Sequence, residues 1–438
     1  MKLAAGSFLA GAKSRLLPAS IPFRFFGSAV VFHALAWLAL LAGADSVPRF
    51  AGGLGWPLAA LHLVTLGTLA MSAIGASLQL LPVATRQPLR STRGPALLWW
   101  LYTPGVAALA LGMGLAQPPL LAAGALAVIT ALLGFGALLA FNLIGARGMP
   151  GIVAHGWGAL LGLGVLLASA LGLAGAYVGL PLLARPAGLT LHVAFAGYGF
   201  MGLLALGLAY ILVPMFALSA ASDEGRVRAS IGLAVAALLL AGAAAFGIAP
   251  LPLRLAALAL GAAALVLHLR LMREALKSGM RRELGRSFVL VKIGWAGLAA
   301  SLVLALALVL DAPLAGLPGL FGLALVGVWL LSFLLGLLQR IVPFLASMHA
   351  GAGRLPPTPS SLTAARPLAV HLHCHLAALA LLGGAILLDS PALVRVAALI
   401  GTAGALAFGV FFATALRRMR RTPARTAPVL ARPAGPIA

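Results

Sequence analysis

Nine histidines are the residues best able to do chemistry in this chain: His33, His62, His155, His192, His268, His349, His371, His373 and His375. All but His349 fall inside apolar stretches of helix length, where a polar side chain is costly and marks a functional site by default. Neutral imidazole is a ligand for haem iron and for copper or zinc. His62 and His192 form the most informative pair. Each lies roughly five residues into its apolar stretch, and each is followed by a glycine, Gly67 or Gly197, at the same interval. Equal depth with a small neighbour suits axial ligation of a haem, or one haem ligand and one copper ligand. The plainer reading is an interfacial pair bonded to headgroups or to a neighbouring carbonyl. A second group, His371-Leu372-His373-Cys374-His375, opens a later stretch. At helical spacing His371, Cys374 and His375 share one face and offer copper or zinc two imidazoles and a thiolate. Its plainer reading is a histidine-rich turn with a small buried cysteine. His33 sits mid-stretch, placed to ligate, to pack against a haem edge or to bond a carbonyl across helices. His155 and His268 lie near stretch ends, where snorkelling explains them. His349 is expected in a loop.

Carboxylates are missing from this inventory. All seven acids, Asp45, Asp223, Glu224, Glu274, Glu283, Asp311 and Asp389, fall in loops or at stretch ends. Ion-coupled transport and proton pumping use ionisable groups near the bilayer midplane, and no acid is there to serve. The chain also lacks a phosphate loop, a nucleophile elbow and a zinc-protease motif.

The elements that must position these histidines are membrane helices. Of 438 residues, 62% are hydrophobic and 8% charged; a soluble domain carries about 25% charged residues. That balance excludes an ordinary soluble enzyme and a disordered chain. The sequence predicts twelve spans, at roughly 24–43, 57–83, 96–116, 119–142, 151–176, 187–218, 229–248, 251–271, 288–310, 317–345, 367–388 and 392–416. Each can cross the roughly 30 Å hydrocarbon core, and in lipid only a helix satisfies its own backbone. With the N-terminus inside, 26 of the 30 Lys and Arg residues fall on the cytoplasmic side; Arg49, Arg185, Arg254 and Arg395 fall outside. This positive-inside bias places both termini in the cytoplasm of a bacterial-type inner membrane. The net charge of +23 therefore belongs to membrane topology and points to no nucleic acid. The single cysteine, Cys374, excludes an internal disulfide. Residues 1–22 are expected to form a retained basic tail, 23–416 a single twelve-helix domain and 417–438 a second basic tail. Leu355-Pro356-Pro357-Thr358-Pro359 reads as an extended linker.

Spans two, six and ten end alike, in Gly75-Ala-Ser-Leu-Gln79-Leu-Leu-Pro82, Gly207-Leu-Ala-Tyr210-Ile-Leu-Val-Pro214 and Gly336-Leu-Leu-Gln339-Arg-Ile-Val-Pro343. The spans before them carry Trp37, Trp157 and Trp295. This is a period of four helices, repeated three times.

These features together resemble subunit I of the haem–copper oxidases. His62-Leu-Val-Thr-Leu-Gly67, His192-Val-Ala-Phe-Ala-Gly197 and Gln339-Arg-Ile-Val-Pro-Phe344 look like the oxidase-like branch and the NnrS-like membrane proteins of nitric-oxide metabolism. The resemblance implies that His62 corresponds to a low-spin haem ligand on helix two. It implies that His192 corresponds to a copper ligand on helix six. The family's helix-ten and helix-seven histidines have no counterparts here, so the resemblance implies the scaffold without oxygen reduction or pumping. A retained site would be completed by His62 and His192 together, or by His33. The expectation is an all-α protein with haem, copper or both, in respiratory or nitric-oxide-related redox metabolism. Its partners would be the lipid bilayer and an electron-donor protein of the respiratory chain. The alternative is a small-solute transporter or a cofactor-free scaffold subunit.

Overall fold

The computed structural model describes residues 16–89, 91–350 and 357–421. Among these residues twelve helices are long and apolar enough to cross a membrane. They are α1 Ser20–Ala42, α2 Trp56–Ala84, α3 Arg93–Gly114, α4 Pro118–Ile144, α5 Pro150–Ala176, α6 Arg185–Ala217, α7 Glu224–Ala245, α8 Pro250–Ser278, α9 Gly285–Val309, α10 Leu317–His349, α11 Ala365–Leu387 and α12 Pro391–Arg421. The protein is an all-α polytopic membrane protein. Prolines open α4, α5, α8 and α12, where their missing N–H costs nothing and their fixed φ favours the first turn.

Every expected span is present, but three helices run further than hydropathy marks. α8 continues to Ser278, α10 to His349 and α12 to Arg421. Their basic, Leu- and Ala-rich ends are good helix formers after apolarity has faded. His349 therefore belongs to the last turn of α10 and not to a loop. The expected proline linker falls partly outside the described residues. Its end, Pro359–Leu362, is one helical turn capped by Thr358. Most of both expected tails lies outside the described residues.

Three antiparallel hairpins, α3–α4, α7–α8 and α11–α12, are the most extensive pairings. Each leads through a further helix (α5, α9 and α1) onto α6, α10 and α2, and these three also touch one another. Burial agrees with this placement. The most apolar windows of α6, α2 and α10 are 89%, 67% and 56% buried, against 28–44% for the other nine helices. The protein thus has three inner helices surrounded by nine outer ones.

The shared glycine of the three end motifs explains how the inner helices are seated. A Cβ on Gly75 would come 2.9 Å from Phe25 Cβ of α1, one on Gly207 2.7 Å from His155 Cβ of α5, and one on Gly336 2.6 Å from the Ser287 carbonyl oxygen of α9. Helices approach this closely in lipid where small residues permit it. The prolines of these motifs lie inside the last turns of their helices and do not terminate them. The tryptophans are not equivalent. Trp37 and Trp295 are buried, whereas Trp157 faces outward at 41% exposure.

Each inner helix also contains a long π segment: Leu63–Ala70 in α2, Phe195–Gly202 in α6 and Leu323–Leu331 in α10. These wide turns loosen the backbone, and nearby hydroxyls bond its carbonyls. Thr68 donates to Leu63 O at 3.2 Å, Tyr102 to Leu66 O at 3.1 Å and Ser332 to Gly327 O at 3.2 Å. Such bonding is what backbone in lipid requires. π turns mark functional positions more often than ordinary helix does.

The acids hold helix ends together. Glu224 accepts from the Gly151 N–H at the start of α5, and Asp223 caps α7. Glu274 takes Arg226 in a two-toothed pair at 2.7 and 2.8 Å. Asp45 pairs with Arg395 and Asp389 with Arg49. No carboxylate is buried among the described residues.

Candidate functional site

A mostly apolar, partly open cavity of about 1250 Å³ lies near the ends where α2 and α6 begin, lined by the three inner helices and by outer helices packed on them.

His62 and His192 both line this cavity, with ring centres 6.3 Å apart and ring planes 33° apart. Two metal–nitrogen bonds of roughly 2.0–2.1 Å on opposite sides of one ion put imidazole centres about 6.3 Å apart. The observed spacing matches that geometry. His62 Nδ1 lies 3.0 Å from the Leu58 carbonyl oxygen. A carbonyl only accepts, so Nδ1 carries the proton and Nε2 carries the lone pair. That is the tautomer a ligating histidine needs, fixed by a second hydrogen bond. His192 lacks this support, because its Nδ1 is buried without a partner. Each of the two histidines directly precedes or sits close before a π segment, at Leu63 and at Phe195. Two arginines, Arg185 and Arg254, also line the cavity. Tyr198 lines it as well, resting on Trp329 and donating to Ser301 Oγ at 2.9 Å. The site thus offers two neighbouring imidazoles, two cations and an apolar volume. Haem is a flat apolar ring with a metal at its centre and two carboxylates on its edge, so these residues fit it.

Gly67 and Gly197 do not open space for a ligand. A Cβ on Gly67 would meet Phe32 at 2.6 Å and one on Gly197 would meet Leu325 at 3.0 Å. Both glycines serve close helix packing.

His33 does not join this pair. It is buried away from the cavity and accepts the Trp37 indole N–H on Nε2 at 3.2 Å. Its ring centre lies 6.2 Å from that of His371, which in turn stacks on His375 at 5.6 Å. The expected face of His371, Cys374 and His375 is not held together as one ligand set. His371 and His375 are buried, His371 bonding the Gly404 carbonyl of α12 at 3.1 Å and His375 meeting Ser332 of α10, while Cys374 is half-buried against Gly404. Cys374 is adjacent to His375, about 100° around the helix from it, and so is rotated off the stripe that His371 and His375 share. Among the described residues no group of three or more His, Cys, Asp or Glu is arranged to hold a metal ion.

His155 and His268 do not snorkel. They are 1% and 0% exposed and share a polar cluster with Tyr210. His268 Nδ1 lies 3.0 Å from Tyr210 Oη, Tyr210 donates to Ser230 Oγ at 3.2 Å, and Trp295 packs edge-on against His268. His155 donates from Nδ1 to the Gly151 carbonyl at 2.8 Å. This cluster was missed because sequence position near a span end does not show which way a side chain faces, and the packing of α8 against α6 and α9 turns His268 inward. The tyrosine of the span-six motif was its one visible signal. Tyr210→Phe leaves His268 Nδ1 and Ser230 without their shared partner. It is expected to cost about 1–2 kcal/mol, read as a lower thermal midpoint in detergent with the cavity site unaffected.

Compared with known proteins, the chain matches no family model and no curated protein. Its functional reading therefore rests on the chemistry of the cavity.

Proposed function

We propose that this is an integral inner-membrane haem-binding protein of oxidase-like architecture that does not pump protons and acts in respiratory or nitric-oxide-related redox metabolism. The observation that carries the reading is the neighbouring pair His62 and His192 in a cavity large enough for a porphyrin. His62 and His192 would hold the iron from α2 and α6, and Arg185 and Arg254 would neutralise the ring carboxylates. A haem bound there supplies one-electron redox chemistry. The apolar walls keep water from the site and lower its local dielectric. Because no carboxylate is buried, the site has no acid relay to couple electron transfer to proton movement. With both termini cytoplasmic, the cavity lies in the leaflet away from the cytoplasm, within reach of an electron-donor protein on that side. The recurrence of a π segment in α2, α6 and α10, every fourth helix, supports the reading of a four-helix repeat.

One observation favours a second reading. Irregular helices lining a cavity also characterise transporters, so a small solute is the alternative occupant. The test is the haem content of detergent-purified protein expressed with ample haem. About one haem per chain with a reduced α-band supports the proposal. A haem-free protein that carries a small solute across proteoliposomes overturns it.

A further inference from the structure

Three buried histidines outside the cavity, His33 of α1 and His371 and His375 of α11, have their protons placed by their neighbours. The Trp37 indole only donates, so its 3.2 Å bond occupies the lone pair of His33 Nε2 and leaves the His33 proton on Nδ1. The Gly404 carbonyl of α12 only accepts, so at 3.1 Å it takes the His371 Nδ1–H and leaves a lone pair on Nε2. Ser332 of α10 donates its hydroxyl proton to the Gly327 carbonyl at 3.2 Å, and its oxygen lies 2.8 Å from His375 Nε2. His375 therefore donates from Nε2 and keeps its lone pair on Nδ1. One nitrogen of each ring is thus satisfied. The others, His33 Nδ1, His371 Nε2 and His375 Nδ1, are buried without a protein partner. The three residues are at most 2% exposed. The ring centre of His371 lies 6.2 Å from that of His33 and 5.6 Å from that of His375.

The unspent groups are one donor and two acceptors, and that set selects its occupant. A cation would face the His33 N–H, in keeping with the absence of a three-ligand metal group among the described residues. A carboxylate could accept from His33 but has no proton for His371 or His375. Either charge would also stand alone in low dielectric, because no Asp, Glu, Lys or Arg is buried among the described residues. Water is neutral, accepts one bond and donates two, which is the complement of this set. Buried waters typically make about three hydrogen bonds to groups that the protein cannot pair itself. Bonds of roughly 2.7–3.2 Å on each side let one water join nitrogens up to about 6 Å apart, and the ring separations are of that order.

We propose that His33, His371 and His375 hold one internal water molecule, which ties α1 to α11 and, through Ser332 and Gly404, to α10 and α12. The site does not rest on the haem reading. The test is solid-state nitrogen NMR of the full chain in lipid bilayers, with its histidines isotopically labelled and magnetisation transferred from water protons. The expected result is three neutral rings, with the proton on Nδ1 in His33 and His371 and on Nε2 in His375, all three receiving magnetisation from water. Trp37→Phe frees His33 Nε2 and should convert His33 from one tautomer to a mixture. His375→Leu removes one acceptor and should lower the transfer to His33 by at least about twofold. The unmutated protein decides the matter even where a variant does not fold. A dry cluster with no transfer from water, one tautomer shared by His371 and His375, a charged ring, or resonances that move when a metal chelator is added would each overturn the proposal.

Discussion

Haem affinity is expected to fall by roughly 100-fold or more in His62→Leu but by far less in His192→Leu. The two histidines are unequal in their support. His62 Nδ1–H is tied to the Leu58 carbonyl, which fixes both its tautomer and its ring. His192 has no such anchor, because its Nδ1 is buried and unpartnered. Leucine at either site keeps the cavity wall apolar, so the loss reads ligation and not packing. With His192 replaced, His62 alone should retain a five-coordinate, high-spin haem that binds carbon monoxide. With His62 replaced, the unanchored His192 should retain little. Purified variants compared for haem content and reduced spectrum check both halves. Equal losses, or a greater loss in His192→Leu, would mean that the Leu58 hydrogen bond does not govern ligand strength.

Gly162→Ala is expected to be among the most damaging small substitutions in the bundle. Its new Cβ would lie 2.6 Å from Phe200 N and 2.7 Å from Gly199 C. Both are backbone atoms of the π segment that follows His192, so no side-chain rotation relieves the clash. Overpacking typically costs about 1–3 kcal/mol, and a backbone obstruction belongs at the upper end. The π segment of α6 must move away from α5, and His192 moves with it. A lower thermal midpoint and a lower haem content should therefore appear together. Gly164→Ala, two residues along the same helix, meets nothing within 4 Å and should change neither. Gly297→Ala should repeat the stability loss, because its Cβ would lie 2.6 Å from Trp329 N in the π segment of α10.

The twelve helices were legible because hydropathy reports the one property lipid demands of a spanning segment. The pairing of His62 with His192 was legible as matched depth. Their convergence on one cavity was not, since it depends on how α2 and α6 meet. The π segments left no sign that periodicity could register. Their conspicuous residues, Thr68 and Gly197, and Ser332 directly after the third, read as ordinary small or polar residues in apolar helices. His33 looked like a third member of the cavity group because it is central in its span. The Trp37 bond and the rotation of α1 turn it toward α11 instead. Cys374 looked like a ligand because sequence spacing defines a face only to within a broad arc. The contact with Gly404 decides which side of that arc is buried. His155 and His268 were misplaced because depth along a span does not show facing, and Tyr210 of α6 draws both rings into the bundle.

The central claim is that one metal sits between His62 and His192, and low-temperature electron paramagnetic resonance of the oxidised, purified protein tests it most directly. Imidazole planes 33° apart predict a rhombic low-spin ferric haem signal of the kind that near-parallel ligand planes produce. That signal should convert to a high-spin one in His192→Leu. A signal of the strongly anisotropic type given by perpendicular planes, or a low-spin signal unchanged by replacing His62 or His192, would contradict the account.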